Sequence, residues 1–448
     1  MNSTASLITR PLNAAVNLRY MATTRFKTAR LSLVTVRPAH ETESQLATLL
    51  YGIMRRGSEH YPRLALFNRR LDELYGTTLT IQNYLHGDHH IISFTAEMPE
   101  DIFLPARDRD AGILDGVMEL FSELLLRPLL DADGLLRREA VEAEKQALCD
   151  SLRAIANDTR TYAADRFRRI MCEGEPYGLS IGGTVEGIAG ITPADVTAHW
   201  RRHLAAMNAE LFYIGRAPIE TVFSLWEKHF GAWKPSRLIP PPTRPHLPPA
   251  APRSVEEEWP VGQGKLCMSW ACGENEATLH DLGAESAMMV CNELFGVMQS
   301  SLLFRHVREE LGLCYYCESA LDMTKGILWV ASGIRPDRRG EAEAAIRSVF
   351  QALQNCDFAP TEVEAAKQSL INGYRQMEDS QGAMEAFATR QLHHPAASGR
   401  SVEALIAATR AVTAEDVARA AQRFVPDTVY FLKGTAEAGG EEEEDDET

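Results

Sequence analysis

The sequence has no apolar run long enough to cross a bilayer, which excludes a helical membrane span. Its first residues, Met1 to Tyr20, hold no apolar core of the kind that marks a secretory leader. The expectation is a cytoplasmic chain. A phosphate-binding loop is missing: Gly182-Gly183 is not followed by Lys and Ser or Thr. So is a Gly-x-Ser-x-Gly nucleophile elbow. Cysteine is sparse, with eight residues scattered at 149, 172, 267, 272, 291, 314, 317 and 356. Without a leader these read as reduced thiols. Cys314-Tyr-Tyr-Cys317 has no second pair to complete a zinc ribbon. It opens a strand rather than preceding a helix, which argues against a thioredoxin-like redox motif. Positive charge is also short, with 46 Lys and Arg against 62 Asp and Glu, a net charge of −16. That balance argues against nucleic-acid binding. Part of the excess lies in the acidic run Glu441 to Glu447, read as a solvated, disordered end.

What is present is ordinary for a globular protein: 45% apolar and 24% charged residues. A chain of 448 residues is long enough for two or more domains. A division shows in the middle. Leu238 to Ser254 contains seven prolines, at 240, 241, 242, 245, 248, 249 and 252. Proline at this density breaks helices and central strands and favours a stiff, extended spacer. The expected organisation is a first domain over 14–237, a linker over 238–254, a second domain over 255–434 and a tail over 435–448.

The two halves echo each other. Ile191-Thr-Pro-Ala-Asp-Val196 precedes a helical pattern and the strand Ala209-Glu-Leu-Phe-Tyr-Ile-Gly215. Val412-Thr-Ala-Glu-Asp-Val417 precedes a helical pattern and Asp427-Thr-Val-Tyr-Phe-Leu-Lys-Gly434. Each opens with a Thr placed to cap a helix and an acid two or three residues on. Earlier in each half, a charged helix feeds a hairpin: Asn68 to Gly76 leads to strands ending near Pro99, and Phe304 to Gly312 to strands ending near Pro336. Internal duplication follows. Strands clustered beside clusters of helices predict an α+β fold, each half a mostly antiparallel sheet with helices packed on one face. Helices are predicted near 41–56, 111–126, 132–153, 158–172, 193–206, 281–296, 338–355 and 361–378.

Two histidine groups invite a metal reading. In His86-Gly-Asp-His-His90, a regular strand would set His86, Asp88 and His90 on one face and His89 on the other. A polar strand face explains these residues more simply. His393-His394 follows a helix and has no acid at ligand spacing.

Several stretches together resemble the insulinase/pitrilysin superfamily (inverzincins), in particular its processing-peptidase-like branch. That resemblance implies two homologous α+β halves closing like a clamshell, with a zinc motif His-x-x-Glu-His on the first long helix. Ala47 to Pro62 looks like this helix and the turn after it, but the motif positions hold Thr48, Tyr51 and Gly52. Both imidazole ligands and the general-base carboxylate are missing. Zinc takes about three protein ligands from imidazole, thiolate or carboxylate. The family's third ligand falls on Glu144, in Val141-Glu-Ala-Glu-Lys-Gln-Ala147. A lone carboxylate does not hold catalytic zinc, so Glu144 is expected to be structural and the chain to bind no metal. Phe26-Lys-Thr28, Leu74-Tyr-Gly76, Glu173-Gly-Glu-Pro-Tyr-Gly178, Gly183 and Ile191-Thr192 extend the resemblance over most of the chain. The combination is most similar to the zinc-motif-lacking subfamily named for association with elongation factor P modification.

Leu303-Phe-Arg-His-Val-Arg-Glu-Glu-Leu-Gly-Leu-Cys-Tyr315 resembles the family's Arg/Tyr element, which places Arg308 and Tyr315 as substrate-holding residues. A guanidinium fork and a phenol donor suit a peptide carbonyl or a developing oxyanion. The resemblance therefore implies a heterodimer. A zinc-bearing insulinase-like subunit would supply metal and base, and this chain would supply Arg308 and Tyr315 to an unfolded peptide. The alternative is a catalytically inert binding or scaffold protein on the same fold. An independent activity would be a third reading.

Overall fold

The computed structural model describes residues 7–393 and 400–435, with side chains omitted at 391–393. The acidic tail and the His393-His394 side chains lie outside the described residues. By its internal contacts the chain forms two compact units. One comprises residues 1–156 and 174–241, the other 157–173 and 242–448.

Strands β1 (Ile8–Pro11), β2 (Val16–Ala22), β3 (Thr28–Pro38), β4 (Thr78–His86) and β5 (His89–Pro99) open the chain. The short β6 (Ala206–Met207), β7 (Ala209–Gly215) and the short β8 (Ser236–Arg237) follow later in the first half. The first unit's main sheet runs β1-β2-β7-β3-β5-β4, with β6 and β8 forming a small parallel pair apart from it. Central β7 is buried at every position, whereas edge strand β4 alternates exposed and half-buried residues. Alternation of that kind is the pattern of a strand with one wet face.

Helices in this part of the chain are α1 (Glu41–Arg55), α2 (Leu64–Glu73), α3 (Ile113–Leu126), α4 (Arg138–Ala154), α5 (Thr159–Met171), α6 (Val185–Gly190), α7 (Pro193–Ala205) and α8 (Ile219–Phe230). Leu46, Leu49, Leu50 and Ile53 on α1 and Val117, Leu120 and Phe121 on α3 form one core with Leu31, Leu33 and Phe94 of the sheet. Each such side chain contributes about 1.5–3 kcal/mol when fully buried. Pro193 at the first position and a Thr192–Asp195 capping box start α7.

The second sheet is built from β9 (Arg253–Trp259), β10 (Gly264–Ala271), β11 (Cys314–Asp322), β12 (Ile327–Ile334) and β13 (Val425–Gly434), in the order β11-β12-β10-β13-β9. Helices α9 (Leu282–Asn292), α10 (Arg339–Gln354), α11 (Pro360–Gln376), α12 (Gln381–His393), α13 (Val402–Ala411) and α14 (Ala414–Gln422) accompany it. Its core centres on Leu266, Met268 and Trp270 of β10 with Phe295 and Phe350. The reverse face is covered by α5, whose Phe167 ring lies 6.4 Å from Trp329 and whose Arg166 bonds Glu257 at 2.7 Å.

The duplication seen in the sequence is a duplication of topology. β2-β7-β3-β5-β4 matches β9-β13-β10-β12-β11, and β2/β7 and β9/β13 are parallel pairs at matching places in the two sheets. Thr413 and Asp416 repeat the Thr192–Asp195 capping box at the start of α14. Around the unit boundary, residues 238–252 carry no helix or strand. The linker is nevertheless pinned to the second unit, by the His246 N–H on the Lys325 carbonyl at 2.8 Å and by Lys325 Nζ on the Arg244 carbonyl at 2.7 Å.

Candidate functional site

Helix α1 carries Thr48, Tyr51 and Gly52, the positions that the resemblance assigns to the zinc motif, and each has a local structural contact. Thr48 Oγ1 lies 2.9 Å from the Ser44 carbonyl and 3.1 Å from that of Ile181, and accepts from the Asn83 amide at 3.1 Å. A hydroxyl has one hydrogen, so it serves one carbonyl at a time. Gly52 faces Glu144 so closely that a Cβ there would stand 2.1 Å from its Oε1. The other oxygen of Glu144 accepts from Arg56 Nε at 2.7 Å. The carboxylate that the resemblance makes a zinc ligand is thus held in an ion pair, in the space a side chain at position 52 would need.

Tyr51, which the resemblance puts at the general-base position, is buried, with its ring edge-on to Phe94 at 5.2 Å. Its hydroxyl lies 2.7 Å from His203 Nε2, and Arg37 lies 2.6 Å from Nδ1 of the same ring. Arginine only donates, so Nδ1 accepts and the proton of His203 sits on Nε2, directed at the Tyr51 oxygen. Burial pushes the phenol well above its usual range and the imidazole well below, with Arg37 adding to the second effect. Both groups are therefore neutral, and neither takes a proton from water near neutral pH. The donor set at these positions does not fit zinc.

A polar cluster that the sequence reading missed surrounds this ring. His199 Nδ1 lies 2.7 Å from Glu43, which also accepts from Arg202 at 2.9 Å. The His199 contact, with Arg202 beside it, holds the Glu43 carboxyl down at about 2. Burial, then His199 and Arg37, lowers His90 to about 4. Only the spacing His199-x-x-x-His203, one helical turn, signalled it in sequence.

The histidine run at 86–90 is not one strand. It is a two-residue hairpin, with His86 paired to His89 and Leu85 to His90 across Gly87-Asp88. Gly87 supplies the left-handed φ of +55° at the first turn residue. The face-sharing argument for His86, Asp88 and His90 therefore lapses.

In the second unit the structure brings Arg308 and Tyr315 together. Helix α9 runs on into a wide π-type turn at Glu293–Val297, and a second such turn spans Phe304–Glu310. The Leu311 N–H on His306 O at 3.2 Å and the Leu313 N–H on Val307 O at 3.0 Å close that segment. Gly312, at φ +55°, reverses the chain into β11. Arg308 then lies over the rings of Phe304 at 4.9 Å and Tyr315 at 5.7 Å. Both residues are exposed, Tyr315 by 69%. Among the described residues Arg308 makes no ion pair and the Tyr315 hydroxyl no hydrogen bond. A guanidinium framed by aromatics, beside a phenol with a free donor, can grip a carbonyl or carboxylate.

Residues 190–370 match the family model described as the peptidase M16 inactive domain. A probable inactive metalloprotease of Bacillus subtilis is 29% identical over 418 residues, 92% of this chain and 94% of that protein. Among solved structures, a conserved protein from Enterococcus faecalis matches with a TM-score of 0.87 at 24% identity, covering 97% of this chain and all of that one. The peptidase M16 inactive domain protein from Pseudomonas fluorescens matches with a TM-score of 0.75 at 15% identity, over 98% of this chain and all of that one. At these identities the two structures attest the fold.

Proposed function

We propose that the chain is an insulinase-type, M16-like protein of the inactive kind that serves as the substrate-gripping, zinc-less subunit of a heterodimeric zinc endopeptidase. The partner in this reading is an insulinase-like subunit with an intact His-x-x-Glu-His motif. It holds the zinc and activates water, while Arg308 and Tyr315 hold the scissile carbonyl of a small unfolded peptide. One observation carries the reading. Among the described residues Arg308 and Tyr315 are packed together, exposed and without an ion pair or side-chain hydrogen bond, while Tyr51 and Glu144 are engaged in structural contacts.

Reconstitution tests this. The chain alone is expected to be zinc-free and inert on a quenched peptide, and the zinc-bearing insulinase-like protein to gain activity when it is added. Arg308→Ala should lower turnover of the pair by on the order of 10²-fold, the usual loss of one oxyanion donor, without loss of assembly. If the partner cleaves equally well without this chain, or Arg308→Ala has no effect on a formed complex, the chain is a scaffold.

A further inference from the structure

Cys314 and Cys317 are three residues apart on a strand, a spacing that normally points side chains to opposite faces. Here the register shifts. Cys314 pairs with Ile334 of β12, Tyr316 with Gly333 and Cys317 with Ser332, so Tyr315 is an extra residue without a cross-strand partner. Ile334 and Ser332 are two apart, hence on one face, and the bulge therefore puts both thiols on that same face. Both sulfurs pack at the edge of the second unit's core. The two thiols are within hydrogen-bonding reach of each other and of the Ser332 hydroxyl. Cys317 is buried and Cys314 only half-buried, so an oxidant meets Cys314 first.

We propose that Cys314 and Cys317 are a dithiol modification site, which a hydroperoxide converts to a disulfide across the Tyr315 bulge. The Cys314 thiolate takes the terminal oxygen of the peroxide. The O–O bond breaks, and the leaving alkoxide or hydroxide departs with a proton as alcohol or water. Cys314 is then a sulfenic acid. The Cys317 sulfur bonds to the Cys314 sulfur, the S–O bond breaks, and the oxygen leaves as water with the Cys317 proton. The two thiols lose two electrons together, and the peroxide gains them.

The two residues are suited to unequal roles. The Cys317 S–H pointing at Cys314 holds that thiol below its usual range, helped by Arg308 and opposed by burial. The same contact, with burial, pushes Cys317 up. A lowered, accessible thiol beside a buried resolving one is the arrangement of a peroxide-sensitive pair. This inference does not depend on the peptidase reading.

The test is a thiol map of the full chain. It is treated with hydrogen peroxide, quenched, denatured, alkylated and digested. The peptide holding both cysteines is expected to lose two hydrogens, with alkylation at both falling by at least about tenfold and recovering after dithiothreitol. Cys317→Ser should instead leave a sulfenic acid at Cys314 that dimedone captures, and Cys314→Ser should give neither product. Should a variant fail to fold, the map of the unaltered chain decides alone. Full alkylation of both cysteines after peroxide overturns the proposal. So does oxidation of half-buried Cys356 as fast as Cys314, or a dimedone adduct at Cys314 of the unaltered chain without a disulfide.

Discussion

Tyr51 stands where the resemblance puts a general base, and its surroundings give it a structural contact with His203. Removing its hydroxyl in Tyr51→Phe would leave the His203 Nε2–H without an acceptor in a site closed to water. A buried donor left unpaired costs about 1–3 kcal/mol. The Arg56–Glu144 pair is a different matter, because its side chains are 38% and 22% exposed. Water already screens it, and pairs of this kind are worth about 0–1 kcal/mol. Tyr51→Phe is therefore expected to lower the urea midpoint clearly more than Glu144→Gln. Urea unfolding followed by circular dichroism measures both, and an equal or reversed order would make the ion pair the main residue-level determinant here. Gly52 adds a separate constraint. Any larger residue there requires the Glu144 side chain to shift, so a histidine introduced at position 52 would disturb the carboxylate that the resemblance makes a ligand.

At the scale of elements, β3, β5, α1 and α7 enclose the polar cluster, and it makes stability depend on pH. His90 stands opposite Arg37 in the β3–β5 register, with His199 and His203 on α7, Glu43 on α1 and Arg202 at the rim. His90 titrates near 4 when folded and near 6.5 when unfolded. Between those values the unfolded chain binds the extra proton, so this stability is complete above about 6.5 and lost as pH falls to about 4. For Glu43 the folded value of about 2 lies below its ordinary 4.5, so its contribution disappears only as pH drops through that lower window. The His90 limb should remove on the order of 3 kcal/mol. His90→Gln should lessen the fall between pH 6.5 and 4, leaving the share that buried His203 contributes over the same range, as read by urea midpoints across pH. An unchanged slope in that variant would place the acid sensitivity elsewhere.

The elements themselves were unevenly legible. α1, α7, α10 and α14 were readable because a 3.6-residue apolar period and local caps such as Thr192–Asp195 are written in adjacent residues. α4 begins at Arg138, later than the pattern near 132 suggested, because residues before it form a bridge between Leu130 and Leu136. The hairpin at Gly87-Asp88, the bulge at Tyr315 and the π-type turn carrying Arg308 were not readable. Each depends on a cross-strand register or a chain reversal set by residues distant in sequence. The candidate residues Arg308 and Tyr315 came from resemblance. Their mutual packing came from the fold.

At the scale of the whole molecule, the order of the chain and the membership of its units differ, and that difference can be tested. Residues 157–173 precede the proline-rich linker but are built into the second unit. Helix α5 buries Ala163, Phe167 and Met171 there, stacks Tyr162 on Trp259 with ring centroids 4.7 Å apart, and binds Glu257 through Arg166. Burying the Phe and Met side chains alone is worth several kcal/mol at about 1.5–3 kcal/mol each. A specific protease site placed at the exposed Ala250-Ala251 would cut the chain after α5 and before β9. The N-terminal fragment would then still own a helix of the second unit's fold. The nicked protein is expected to elute as one species on size exclusion without denaturant. Phe167→Ala with Met171→Ala should make the same nick release the fragments more readily. Prompt separation of the unsubstituted fragments would mean that α5 contributes little to the second unit, and that the linker, rather than the shared helix, keeps the two sequence halves in one molecule.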